Sequence, residues 1–173
     1  MATISPRAKD AIAPLSYPQQ RLFLLDRIMP GIPAYNVPHL VRVRALVDAQ
    51  ALQQAFDAIA ARHDVLRARV RLEGDRPVQD VAADAHVELI ATDLRETPEA
   101  DREARADELI AALAIRPFDL STDVPLRAAL VQMADDDARL LIVSHHIASD
   151  HTSSAVLLDE LDELYGAIAA GRD

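Results

Sequence analysis

Apolar residues recur along this chain with two periods, near 3.6 and near 2, and the changes of period mark out its elements. Ser16 followed by Pro18 opens a short helix carrying Leu22, Leu24, Leu25 and Ile28, and Met29-Pro30-Gly31-Ile32-Pro33 ends it in an irregular loop. His39 to Leu46 alternates as a strand. Asp48 stands where an N-cap belongs, ahead of a helix whose Leu52, Phe56, Ile59 and His63 share one face. Arg67 to Leu72 and Pro77 to Val81, joined through Glu73-Gly74-Asp75, read as a hairpin, and His86 to Thr92 as a further strand. Thr97-Pro98 starts a helix running to about Ala114, which Pro117 stops. Two apolar runs, Leu126 to Met133 and Arg139 to Ile147, meet across Asp135-Asp136-Asp137, a connection short enough to predict an antiparallel pair. Ser153 to Ala170 is amphipathic, with Leu157, Leu161, Leu164 and Ile168 inward and Asp159, Glu160, Asp162 and Glu163 outward.

Helices and strands mixed in this way, without strict βαβ alternation, predict an α+β fold: a mixed, largely antiparallel β-sheet with helices packed on one side of it. Residues 1–14, with Pro6 and Pro14, read as a linker or entry arm, and 15–173 as one unit. Only 3% of the residues are aromatic, so Ala, Leu, Val and Ile must fill the interior. A net charge of −10 argues against a nucleic-acid partner, because phosphate binding needs a basic surface. No apolar run approaches the ~20 residues of a membrane-spanning helix, and Met1 to Lys9 has no apolar segment behind a basic stretch, so neither a membrane partner nor a secretory signal is expected. The absence of cysteine removes disulfides, thiolate metal sites and thiol nucleophiles, and a cytoplasmic location is the expectation.

Candidate chemistry is concentrated in Leu140-Leu141-Ile142-Val143-Ser144-His145-His146-Ile147-Ala148-Ser149-Asp150-His151. Leu140 to Val143 is apolar on both faces, as in a central strand. Alternation puts His145 with Leu141 and Val143, and His146 with Ser144, for as long as the strand persists. The two rings then cannot converge on one substrate; one is structural and the other faces a cleft. Taken alone, such a pair reads first as hydrogen-bonded core or strand-end histidines. A metal site is disfavoured, since the rings point apart, there are no thiols, and Asp150 and His151 would have to fold back. A Ser144–His146–Asp150 hydrolase triad fails as well: the serine lies on a buried strand beside the base, without the Gly-x-Ser-x-Gly turn that exposes a nucleophile. His63 reads as structural, and Arg62 as a cation complementing a helix C-terminus.

His145-His146-Ile147-Ala148-Ser149-Asp150 fills, up to its last position, the His-His-x-x-x-Asp-Gly frame of non-ribosomal peptide synthetase condensation domains, a family this sequence resembles. Ser16-Tyr17-Pro18-Gln19-Gln20-Arg21-Leu22-Phe23 looks like the family's opening Ser-x-Ala-Gln-x-Arg-Leu-Trp motif, with Pro18 and Phe23 as departures, and Arg62-His63-Asp64-Val65-Leu66-Arg67 like its Arg-His-Glu-x-Leu-Arg motif. Ala34-Tyr35-Asn36-Val37-Pro38 and Arg116-Pro117-Phe118-Asp119-Leu120 resemble further family stretches, the former those of elongation domains that accept L-configured donors.

The resemblance implies a chloramphenicol-acetyltransferase-like fold in which two lobes form a V around a channel, with this chain as the N-terminal lobe and the C-terminal lobe absent. It implies amide formation between a donor acyl or peptidyl thioester and the amine of an aminoacyl acceptor, both held on phosphopantetheine arms of carrier proteins. His146 is then the channel-facing catalytic residue, acting by hydrogen-bonded positioning or as general base. Asp150 holds the loop against an arginine, Arg62 or Arg67, while His145 and His63 are structural. Partners are donor and acceptor carrier proteins, adjacent synthetase modules and the C-terminal lobe, without which the chain is expected to be inactive; no cofactor or metal is expected on the chain itself. Docking is expected to use Arg21, Arg27 and Arg42 or apolar contacts. The family's glycine is His151 here, either a tolerated variant or, with Ser144, a modifier of the channel. An ester-forming acyltransferase and a non-catalytic carrier-binding lobe are the alternatives.

Overall fold

The computed structural model describes residues 13–83 and 86–172. Ala13–Pro14 form a two-residue strand, β1, so the last two residues of the expected linker belong to the fold; the rest of that linker, residues 1–12, lies outside the described residues. Ser16 opens α1 (Tyr17–Ile28) through a capping box with Gln19, which leaves the helix start with few orphan N–H groups. No residue of α1 is fully buried. After a 3₁₀ turn at Pro33–Tyr35 comes β2 (Asn36–Val43), which begins three residues earlier than its alternation suggests. Pro38 lies inside it, and the strand tolerates the missing N–H because β2 is a sheet edge. Asp48 accepts from the N–H groups of Gln50 and Ala51 and so caps α2 (Ala49–Arg62). A second 3₁₀ turn, Asp64–Arg67, leads into the hairpin β3 (Ala68–Glu73) and β4 (Arg76–Val81). Gly74 takes the positive φ of 61° that the first central position of this two-residue turn needs.

The rest of the chain is β5 (Glu88–Asp93), α3 (Glu99–Ile115), β6 (Leu126–Ala134), β7 (Asp137–His145) and α4 (His151–Ala169). Strands β1, β4 and β3 form a small sheet, and β2, β7, β6 and β5 a second one. The larger sheet is antiparallel except at β5–β6, which run parallel because α3 crosses between them. This parallel edge is the mixed part of the α+β fold.

β6 and β7 have apolar residues at both odd and even positions, so both faces must be covered. Ala128, Leu130, Leu140 and Ile142 pack with Leu52, Phe56 and Ile59 of α2 and Leu157 and Leu161 of α4. Ala129, Leu141 and Val143 pack on the opposite face with Leu113 of α3, Phe118 and Leu120, and Val131 and Met133 pack there with Ala106. The helices therefore lie on both faces, not on one as the pattern suggests. Phe56, completely buried, is the only aromatic in the larger cluster's buried set. Phe56→Ala is expected to lower the stability of the chain by about 3–5 kcal/mol, whereas Leu24→Ala, on a side chain 59% exposed, should change it by no more than about 0.5 kcal/mol; urea unfolding of both variants checks this.

Candidate functional site

Strand β7 ends at His145, and strand alternation fixes that side chain. It joins the face of Leu141 and Val143, 4% exposed, with the Phe118 ring edge-on at 5.8 Å and Tyr35 tilted at 6.2 Å between centroids. Its N–H donates to Pro125 O at 3.0 Å. The Ile147 N–H donates to its Nδ1 at 3.1 Å, so Nδ1 carries no proton and the neutral ring is protonated on Nε2. Burial, then the neighbouring His146 and the Arg127 guanidinium, pull its pKa from 6.5 to about 4. His145 is a neutral, structural residue that braces the turn after the strand.

His146 occupies that turn and is exposed. Its main-chain N–H donates to Tyr35 O at 2.9 Å. Its Nδ1 lies 2.7 Å from Ser149 O; a carbonyl only accepts, so Nδ1 holds the proton. In the neutral ring Nε2 is then an acceptor, and it has no protein partner among the described residues. The ring borders an open cleft of about 450 Å³ whose other wall is Ser16, Pro18, Gln19 and Leu22 at the start of α1. The turn is tied down on three sides: Ala148 N–H to His145 O at 2.9 Å, Gln19 Nε2 to Ile147 O at 3.2 Å, and the Ser144 and Ser149 hydroxyls to each other at 2.7 Å. Ser144 faces away from His145, as alternation requires, into an apolar cavity of about 150 Å³ lined by His63, Val65, Leu66, Val156 and Leu157.

Asp150 is the N-cap of α4. It accepts from the Ser153 N–H and hydroxyl, each at 2.8 Å, and these bonds hold its carboxyl below the usual range. The expected arginine partner is not there. Arg62 lies 3.6 Å from Glu160, and Arg67 binds Asp64 and the Ala82 carbonyl, each at 2.5 Å. The helix N-terminus already supplies donors to Asp150, so no cation is needed. Glu160, expected to face water, instead turns to α2 and meets His63 Nε2 at 2.6 Å, which makes His63 a pin between α2 and α4. His151 is the first residue of α4, exposed and without positive φ, so the conformation that would call for glycine is not used here. Of the expected docking arginines, Arg42 is engaged by Asp137 at 2.7 Å, while Arg21 and Arg27 lie on α1.

Three groups in this site escape a reading of residue types alone: the Tyr35, Pro125 and Ser149 carbonyls, which are main-chain acceptors with no side-chain signature. Asn36 fixes the Tyr35 end of β2 by donating from Nδ2 to Ala114 O at 2.8 Å and Arg116 O at 2.9 Å.

Neutral burial of His145 has a pH signature. Between about 4 and 6.5 the unfolded chain binds a proton at this residue that the folded chain does not, so stability contributed above 6.5 is lost as pH falls through that window. The loss from this one residue is up to about 3 kcal/mol. Urea unfolding at several pH values should show a flatter acid limb for His145→Gln than for the unaltered chain; parallel limbs would contradict the assignment.

The sequence matches the family profile described as "Condensation domain" over residues 9–173. It is 37% identical over 166 residues to a component of the linear gramicidin synthase of Brevibacillus parabrevis, covering 96% of this chain and 2% of that protein. It is 39% identical over 164 residues to phosphinothricin tripeptide synthetase PhsC of Streptomyces viridochromogenes, covering 95% and 15%. In fold it is similar to the starter condensation domain of rhizomide synthetase RzmA (TM-score 0.86, 21% identity, 95% of this chain and 41% of that one). It is also similar to the first condensation domain of the calcium-dependent antibiotic synthetase, in complex with a substrate analogue (TM-score 0.82, 22% identity, 95% and 39%). The chain thus spans about two-fifths of the solved domains it matches, and a small fraction of the synthetases. It belongs to the condensation-domain family of non-ribosomal peptide synthetases.

Proposed function

We propose that this chain carries the histidine side of an amide-forming condensation site, with His146 Nε2 as the group that meets the acceptor amine. The observation carrying this reading is the convergence of three separate segments on one turn. The start of α1 walls the cleft, the turn at Asp64–Arg67 lines the adjoining apolar cavity on the other side of Ala148 and Ser149 through Val65 and Leu66, and the end of β7 presents an imidazole whose tautomer leaves Nε2 free.

Donor and acceptor arrive as thioesters on the phosphopantetheine arms of their carrier proteins. The acceptor nitrogen attacks the donor carbonyl carbon, the N–C bond forms, the C–S bond breaks, and the donor arm leaves as its thiol with one proton. An α-ammonium titrates near ~8, so at neutral pH the nucleophile must first shed a proton. Nε2 accepts a hydrogen bond from the amine and holds its lone pair toward the carbonyl. Once deprotonated, an amine needs little activation against a thioester, and orientation supplies much of the rate. General-base transfer to Nε2 is the competing role.

The other wall of the channel and the enclosure of both arms are assigned to the remainder of the domain, so the chain alone is expected to be inactive. Carrier proteins and neighbouring modules of a cytoplasmic synthetase are the partners this reading requires; among the described residues no helix is long and apolar enough to cross a membrane. His151 at the first turn of α4, free of positive φ, favours a tolerated variant over an impaired pocket.

Product formation by a complete condensation domain containing this chain, with loaded donor and acceptor carriers, tests the reading. His146→Ala should lower the rate by about 10²–10⁴-fold, and His151→Gly should leave it near the starting value. A rate that responds to pH identically in wild type and His146→Gln would assign positioning over proton transfer. Turnover of alcohol but not amine acceptors would assign ester formation, and turnover untouched by His146→Ala would replace catalysis by carrier binding.

A further inference from the structure

A second cleft, of about 430 Å³, opens between β3, the starts of β5 and β6, and the loop from 116 to 124. Three arginines line it, Arg69, Arg116 and Arg127, together with His86 and the carboxylates Glu88 and Asp123. These charges are not evenly matched. Arg116 is paired with Glu88, whose carboxyl is held low by that bond, and His86 is held by Asp57 at 3.0 Å. Asp123 accepts from the Asp119 N–H at 2.9 Å and the Thr122 hydroxyl at 3.3 Å. Arg127 and Arg69 have no carboxylate within ion-pair distance among the described residues.

Arg127 is the more unusual of the two. It is 2% exposed, stacks 3.8 Å above the Phe118 ring, and donates only to main-chain carbonyls, those of Pro117 and Arg116. Burial, reinforced by the Arg116 charge, lowers its pKa to about 10, yet it stays cationic at neutral pH. The Nε of Arg127 and that of Arg69 are both buried without an acceptor. Arg67 shares that condition but has Asp64 as its counter-ion. A buried cation is tolerated when paired and a buried donor when it finds an acceptor; among the described residues Arg127 finds two carbonyls but no counter-ion, and the partly exposed Arg69 finds neither a counter-ion nor a side-chain acceptor.

We infer that this cleft is an oxyanion site in which Arg69 and Arg127 bind a phosphoryl group, with Arg116 at its rim. A tetrahedral phosphoryl group offers enough oxygens to be shared by guanidinium groups on two different strands, whereas a single fork fills both oxygens of a carboxylate. The group arrives either as free phosphate or as a phosphoester such as that of a pantetheine arm. The site does not depend on the role of His146 and stands or falls separately from it.

Inorganic phosphate titrated into the isotope-labelled chain against sodium chloride at constant ionic strength, observing the arginine Nε–H signals by NMR, tests the site. Saturable displacement of the Arg69 and Arg127 signals is expected, with that of Arg42, paired with Asp137, unmoved. Arg69→Gln, on a partly exposed strand residue whose loss should leave the fold intact, should weaken binding by about tenfold or more. Displacement that never saturates, that affects Arg42 equally, or that survives Arg69→Gln unchanged would overturn the assignment. Repeating the titration with 4′-phosphopantetheine separates the sources: tighter binding than phosphate assigns a phosphoester, equal or weaker binding assigns the free anion, and both keep the phosphoryl site.

Discussion

From Leu126 to Met133 and from Leu140 to His145, β6 and β7 are buried on both faces, so parity alone assigns each side chain there to one side of the sheet or the other. Leu140 and Ile142 belong to the layer of α2 and α4, Leu141 and Val143 to the layer of α3, and this rule is still in force at Ser144 and His145. The polar residues at the end of β7 therefore inherit their directions from the packing of leucines and valines several residues earlier. Shifting β7 by one residue would exchange the two cores and turn His145 toward α4. The antiparallel register with β2 and β6 on both sides makes that shift costly, since it would break two ladders at once.

The turn after β7 is where the rule ends and hydrogen bonding takes over. His145 serves as a covered post: its ring accepts from the Ile147 N–H and its carbonyl from the Ala148 N–H. Tyr35 and Ser149 carbonyls then hold His146 from the main chain and from the ring. Asp150 starts α4 immediately afterwards, so the exposed imidazole sits between a buried strand and a capped helix, with little slack on either side.

Much of this is legible in the sequence, and for identifiable reasons. Asp48 and Ser16 announce their helices because capping is local chemistry, and the β6–β7 pair announces itself through the short connection at Asp135–Asp136. The opposite directions of His145 and Ser144 follow from strand parity. What stays hidden depends on contacts distant in the chain. The second covered face escapes the pattern because a doubly apolar strand does not say which helix covers which side. An Arg–Asp150 pair is the natural expectation because a cation and an anion in neighbouring motifs suggest each other, but helix capping satisfies Asp150 first and Glu160 takes Arg62 and His63. The parallel β5–β6 edge depends on where α3 crosses, which no residue of β5 encodes.

The orientation of His146 rests on a carbonyl of the main chain, since Nδ1 bonds to the oxygen of Ser149 and not to a side chain. Every residue type has such an oxygen. Replacing Ile147, Ala148 or Ser149 therefore leaves the acceptor in place, provided the turn keeps its shape. The three positions between the histidine pair and the helix cap can drift in sequence, adjusting the lining of the cleft and the cavity behind it, while the same edge of the imidazole stays turned outward. Variation in what the cleft admits is in this way uncoupled from the imidazole that borders it.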